Sequence, residues 1–470
     1  MSTKFNPLTE GQKTCELAIN YTAGNDIVHD KKLVKYELLV LRAHLAMLEK
    51  QHLITKQDYE KIIPVLDEIS ALDKEGKFEL KVELEDVHSN VEQYILSKVG
   101  MEAGGNVRLA IARNDQVYTD LRMYYKDKLS EISNGLKSII LELASLSKEH
   151  SGTIMPGYTH LRISQPITYG FFLSAKAYHF YDDLCNLDYD YKQIDKCPLG
   201  IFEMSGTHAP IDREFTSSAL GFSKPTENSL YTANQRGEVE IKICSDLSLL
   251  ALHIKRFMSE LMLFSTHEFG FIEISSEYTT GGTAQPNLVN PDTLEVIRAN
   301  CSKIMGTHSA LLHIMDSLPS GYNRDTQETK GIMFEALEIM LPTLEILQGI
   351  AKSLKLNKQR MEQVAGLNFS NAPDYTIQLA MSSGLSFRES YKIIKHIISS
   401  KLISSSMDEI DSDMLNSVCE KLLGKKISVN MQDFDSVLGP RVALNRKSLG
   451  SSSPKEVMKM ADELMEKVRA

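Results

Sequence analysis

The chain has 470 residues, 42% hydrophobic and 24% charged, with 14 prolines and 26 glycines, which is enough for two or three domains or one large core with appendages and too apolar for a disordered chain. A formal net charge of −10 excludes a broadly basic nucleic-acid or anionic-membrane surface, although a small anionic ligand needs only a few local cations. Six scattered cysteines without metal-ligand spacing read as reduced and mostly buried, and without a basic-then-apolar leader or a run of 18 apolar residues the expectation is a cytoplasmic protein that neither leaves the cell nor spans a membrane.

Taken along the chain, the sequence reads as helical almost throughout. "EDVHSNVE" (85–92) sets Glu85, His88 and Glu92 three and four residues apart, on one helix face; that spacing fits a solvated face as readily as a site. "ARNDQVYTDLR" (112–122) brings Arg113, Asn114, Asp115 and Gln116 to the entry of a long helix, where backbone donors favour an anion, and Asn114 is either a cap or a ligand-binding amide. From Asn114 to His150 there is no proline, and Val117, Leu121, Tyr125, Leu129, Ile132, Leu136, Ile139, Leu143 and Leu146 recur at helical spacing. At 1.5 Å per residue they form one stripe on a helix roughly 50 Å long or more.

"MPGYTHLRISQP" (155–166) reads as a turn-rich loop that sets the Thr159 hydroxyl beside the imidazole of His160, the side chain suited to proton transfer near neutral pH. A second proline-free run, 226–285, carries Ile241, Cys244, Leu247, Ala251, Ile254 and Met258 as another stripe. In "TTGGTAQPNLVNPDTLE" (279–295), Gly281 and Gly282 permit backbone shapes closed to other residues, so the segment is a mobile lid or a mere turn. Pro291 behind Asn290 reads as the first-turn proline of a helix reaching about Met315. A last long helix is expected from about Asp325 to Leu354, kinked at Pro342. Helices of this length bury their stripes against one another. The expected architecture is all-α: a helical domain over 1–106, a central bundle over 107–355 and a C-terminal helical domain over 356–470.

Several of these clusters, in this order, resemble the motifs of the argininosuccinate lyase family, within the fumarase and aspartase superfamily: "ARNDQVYTDLR", "MPGYTHL", "PLGIFEMSGTHAPIDRE" (198–214), "NPDTLEVIR" (290–298), "GYNRDTQETK" (321–330), "SGLSFRESYKI" (383–393) and "SVLGPRVALNRKSLGSSSP" (436–454). The resemblance covers nearly the whole chain. It implies a three-domain helical subunit in a homotetramer with a twenty-helix core, and active sites at corners where three subunits meet. It implies a β-elimination that splits argininosuccinate into arginine and fumarate with no metal or organic cofactor. The implied partner is a small-molecule amino acid or dicarboxylate substrate, with no nucleic acid and no membrane.

Carried over residue by residue, the resemblance assigns Tyr322, Gln327 and Lys330 to the arginine end of the substrate. Asn114, Thr159 and Asn290 fall at the succinyl carboxylates, with Arg236 and Arg113 at binding positions and His88 as a further site histidine. His160 matches the proton-transfer histidine and Glu295 the partner that orients and charges it. The signature loop departs from its pattern GSSxMPxKxNP and reads "GGTAQPNLVNP". Gly282 stands for the serine that serves as base, Thr283 for the next serine, and Leu288 for the lysine that stabilises the dianion; Leu41, Ile111 and Ala112 replace a serine, an arginine and a serine. Losing a base costs thousands-fold or more in rate, and losing one oxyanion donor roughly a hundred- to a thousand-fold. The expected function is therefore a carbon–nitrogen lyase acting on a related amino acid conjugate, with Thr283 as substitute base. The alternative is a catalytically silent homologue with a ligand-binding, regulatory or structural role, and an ordinary argininosuccinate lyase ranks behind both.

Overall fold

The structure, a computed structural model, describes residues 15–469. It is all-α, with a few two-stranded pairs. Among the described residues five helices exceed twenty residues: Arg113–Glu149, Tyr169–Ile194, Glu238–Ser265, Asp292–Met315 and Thr329–Ser353. The predicted stripe of the first is buried from Val117 to Leu143, with Leu146 half-buried at the end. No helix among the described residues is long and apolar enough to cross a membrane. Four cysteines are buried, Cys15 and Cys185 are exposed, and none of the six forms a disulfide among the described residues.

The chain divides into two compact units. The first comprises residues 15–134, 183–252 and 300–342. Here Val34–Lys50, Lys56–Lys74 and Val87–Gly104 pack together around Leu45, Leu48, Leu66, Ile69, Val91 and Ile95. The second and third of these helices start on side-chain caps: Thr55 accepts from Asp58 N–H at 3.1 Å and Asp86 from Ser89 N–H at 2.7 Å. The second unit comprises 135–182, 253–299 and 343–469. Its C-terminal helices Ala372–Ser383, Phe387–Ser399 and Ser412–Leu423 close over Tyr375, Ile393, Ile397, Leu415 and Phe434.

Four expectations about local structure change. The stretch 155–166 is a β-hairpin, Ile154–Thr159 antiparallel to Arg162–Thr168, rather than a loop. Gly157 is required there, because a Cβ would stand 2.5 Å from the Gln165 carbonyl oxygen. The run 226–285 is not one helix: Ser229–Asn234 and Glu238–Ser265 are separated at Gly237 (φ +91°), whose missing side chain leaves room for Met315. Glu85 lies outside its expected helix, which Asp86 caps and Val87 begins. The last long helix begins at Thr329 behind a 3₁₀ turn, Arg324–Glu328, and continues past Pro342.

Candidate functional site

In the first unit the start of Arg113–Glu149 is fixed by an acid, not by the expected amide. Asp115 accepts from the N–H groups of Ala112 at 2.8 Å, Gly200 at 2.8 Å and Phe202 at 3.0 Å. This clamps the "PLGIF" segment onto the helix entry. Asn114 is thereby free of capping, and its amide donates to the Glu203 carboxylate. One turn and more along, buried Arg122 donates to the Lys196 carbonyl (2.6 Å), the Tyr118 hydroxyl (2.9 Å) and Gln235 Oε1 (3.0 Å). Gly237 N–H meets Glu240 at 2.7 Å. The turn bearing Arg236 is therefore held from both sides.

That turn faces a cavity of about 100 Å³ lined by Asp26, Asp30, Glu85, Asp86, His88, Arg113, Asn114, Val117, Arg236, Tyr322, Arg324, Gln327 and Lys330. Seven of the twelve sequence-predicted site residues come together here. Lys330, 1% exposed, pairs with Asp26 at 2.7 Å and with Asp30. Burial alone would lower the lysine's pKa, but the carboxylates of Asp30 and Asp26 outweigh it and raise it. Burial pushes Asp26 up to about 6, against the pull of Lys330. Arg113 meets Asp86 at 2.7 Å and Arg324 meets Glu85 at 3.2 Å. Gln327 spends its amide N–H on the Thr22 carbonyl at 2.6 Å. Arg236, 5% exposed, lies over the Tyr322 ring at 5.2 Å, and its Nε and Nη1 have no acceptor among the described residues. Arg113, Arg324 and Lys330 are thus engaged by the acids of the cavity, and the Nε and Nη1 donors of Arg236 are left for an acceptor.

His88, read from spacing as compatible with a solvated face, is 2% exposed. Its Nδ1 lies 2.8 Å from Glu37 Oε2 and 3.9 Å from Asp120 Oδ2. Burial opposes its charge, but Glu37, Asp86 and Asp30 prevail and raise its pKa. Burial, then the charges of Glu37 and Asp30, hold Asp120 well above the usual carboxylate range. Ligand atoms of Glu37, His88 and Asp120 lie within 4.8 Å of one another and are the group that could hold a metal. The 2.8 Å contact between Glu37 and His88 has the length of an N–H···O hydrogen bond, whereas Asp120 stands 3.9 Å from the ring.

The remaining predicted residues belong to the second unit. Thr159 and His160 occupy the hairpin tip, where Thr159 pairs with Arg162. The two turn residues between, His160 (φ +55°) and Leu161 (φ +56°), both hold the left-handed conformation that side chains resist. Both are exposed. Asn290 is half-buried in a short pair, Thr280–Gly281 with Val289–Asn290. Thr283 and Leu288 lie exposed in the turn between, which closes through Leu288 N–H to the Gln285 carbonyl at 3.1 Å. Glu295 is exposed on the first turns of Asp292–Met315, and no ion pair joins it to His160 within one chain among the described residues. Sequence reasoning missed Asp26, Asp30, Glu37, Asp86, Asp120, Glu203 and Arg324. The four-residue spacing of Asp26 and Asp30, and a lone glutamate in the apolar run "YELLVL", were the available signals.

A family described simply as lyase matches residues 16–306. Among curated relatives, the argininosuccinate lyase of Bacillus mycoides (strain KBAB4) is 36% identical over 375 residues, 80% of each chain. That of Bacillus cereus (strain ATCC 14579) is 34% identical over 438 residues, 93% of each. Among solved structures, an EDDS lyase in complex with formate superposes with a TM-score of 0.81 at 24% identity, covering 100% of this chain and 93% of that one. The class II fumarase of Schistosoma mansoni gives 0.70 at 16% identity, over 87% and 90%. These structures share the fold.

Proposed function

This chain belongs to the argininosuccinate lyase family, and on that premise we propose that it is a fumarate-eliminating carbon–nitrogen lyase acting on an amino acid conjugate, with a substrate or mechanism altered at the succinyl end. The observation that carries the reading is the contrast between a retained binding cavity, with Arg236, Tyr322, Gln327, Lys330 and His88 on its wall, and a signature loop with glycine at 282 and leucine at 288. In this reading the amino acid end enters the cavity with its carboxylate on Arg236. Asn114, Thr159 and Asn290 hold the other carboxylates. Thr283 takes the proton next to a carboxylate, and His160, oriented by Glu295, returns one to the departing nitrogen. Stabilising the resulting dianion is the hardest step, and Leu288 brings no charge to it.

His160 and Glu295 are both exposed in one chain, and a homotetramer in which each site draws on several copies completes them. A division at 106/107 and 355/356 into terminal domains and a bundle that carries the tetramer accompanies this proposal. A second reading, a silent ligand-binding homologue, is favoured by the burial of Leu41, Ile111 and Ala112 as core residues at 1%, 4% and 7% exposure, since a site that no longer meets a dianion needs no polar group there.

The experiment is direct: purified protein is incubated with argininosuccinate and fumarate is followed by ultraviolet absorbance, beside the double variant Gly282→Ser with Leu288→Lys. The expected result is little turnover by the natural chain and a gain of about a hundred-fold or more in the variant, the least that one restored oxyanion donor contributes. Brisk turnover by the natural chain overturns the altered site. No turnover by either, with thermal stabilisation by arginine, supports the silent binder.

A further inference from the structure

We infer that Glu37 is a positioning residue for His88: it holds the imidazole by Nδ1 so that Nε2–H stands ready for an anionic group of the ligand. The inference deepens the lyase reading and rests on it for the identity of the ligand. Glu37 is fully buried in the Val34–Lys50 helix, and both of its oxygens are engaged, Oε2 with His88 Nδ1 at 2.8 Å and Oε1 with Gln116 Nε2 at 2.9 Å. A carboxylate pinned at both oxygens has one orientation, and the ring it holds has one as well. With Nδ1 used, Nε2 is left, and it has no partner among the described residues. A buried donor without an acceptor is costly. His88 lines the same cavity as Arg236, whose Nε and Nη1 are also without acceptors. Two cationic donors in want of acceptors on one cavity wall call for a carboxylate.

The charged groups around the ring set the roles apart. Facing His88 are Glu37, Asp120 at 3.9 Å, Asp86 and Asp30. Asp86 is matched by Arg113 and Asp30 by Lys330. Neither oxygen of Asp120 receives an N–H from a described residue, and it faces the carboxylates of Glu37 and Asp30. Buried carboxylates this close do not all ionise. Burial and the neighbouring carboxylates of Glu37 and Asp30 raise the Asp120 pKa, whereas Glu37 makes the direct contact with the His88 ring at 2.8 Å. A neutral amide at 120 then changes little, whereas one at 37 changes much.

The test reads deuterium exchange at the imidazole C2–H of His88 by mass spectrometry across pH, on the whole purified protein, which reports its titration midpoint without need of substrate. In the natural protein the midpoint is expected above the ordinary histidine value. Glu37→Gln is expected to lower it by about a unit or more, roughly tenfold in proton affinity, and Asp120→Asn to leave it in place. Where argininosuccinate is turned over, Glu37→Gln raises KM about tenfold or more while moving kcat less, and Glu37→Asp recovers part of the loss. A natural midpoint at or below ordinary histidine, or an Asp120→Asn shift as large as that of Glu37→Gln, overturns the inference. Should Glu37→Gln fail to fold, the natural midpoint and Asp120→Asn decide. If argininosuccinate is not a substrate, the lyase reading suffers while the exchange midpoints still judge Glu37.

Discussion

The cavity of the first unit and the hairpin tip of the second are built on opposite principles. In the cavity wall Lys330, Arg113 and Arg324 each have a carboxylate, and the side chains behind it are buried. At the tip His160 is exposed on a left-handed turn, and Thr283 and Glu295 are exposed as well. A site that recognises a charged ligand gains from groups fixed before the ligand arrives, because their ordering is already complete. A proton-transfer group needs access, and backbone held in a disfavoured region persists where its position is needed. On the proposed function, the difference separates a binding region organised within one unit of one chain from proton-transfer groups that stand exposed.

The sharpest way to break this comparison is to remove one group from each side. Added to the Gly282→Ser, Leu288→Lys double variant, His160→Ala is expected to reduce fumarate release by about a hundred- to ten-thousand-fold while leaving the unfolding midpoint in urea close to that of its parent, since the side chain is exposed. If His160→Ala unfolds the protein, the tip is structural and the division fails. Lys330→Met is expected to strike stability as well as substrate binding. It leaves Asp26 and Asp30 together in the interior without a cation, which costs roughly 3–5 kcal/mol of stability. Urea unfolding measures it, and adding Asp30→Asn is expected to return part of the loss. An unchanged unfolding curve for Lys330→Met would show that the cavity is not held by its ion pairs.

The two regions were also unequally legible. The 37-residue Arg113–Glu149 helix follows from a stripe of period 3.6 with no proline in it, because long periodic segments carry redundant information. The hairpin does not: Pro156, Gly157 and Pro166 punctuate it like a loop, and its pairing depends on residues up to 14 positions apart, Ile154 with Thr168. In the cavity, motif residues such as Tyr322 and Lys330 could be named from the sequence, but their partners could not. Lys330 meets Asp30 across 300 residues of chain, and nothing local tells a carboxylate that will be buried from one that will be solvated. Glu37 and Asp120 escaped notice for that reason, and His88 fitted a surface reading because its neighbours in sequence are polar.

A smaller effect sharpens the comparison through a histidine that belongs to the buried side. His44 sits in the Val34–Lys50 helix, 1% exposed, with Nε2 2.8 Å from the Leu109 carbonyl. A neutral ring donating to that carbonyl satisfies the site, whereas an imidazolium would bring a charge with no anion beside it. Burial accordingly lowers its pKa from 6.5 to about 4, the Leu109 bond recovering only part of the shift. Because the folded value lies below the unfolded one, its contribution to stability is fully present above about pH 6.5 and is lost as pH falls toward 4. At 1.36 kcal/mol per unit the loss is at most about 3 kcal/mol. His44→Gln keeps a donor for Leu109 and cannot take up that proton. The variant is expected to be somewhat less stable at pH 7 for imperfect packing, yet to lose less stability than the natural chain between pH 6.5 and 4, as read from urea midpoints at each pH. Parallel curves for the two proteins would place the acid sensitivity elsewhere and remove His44 from the buried, neutral side of the contrast.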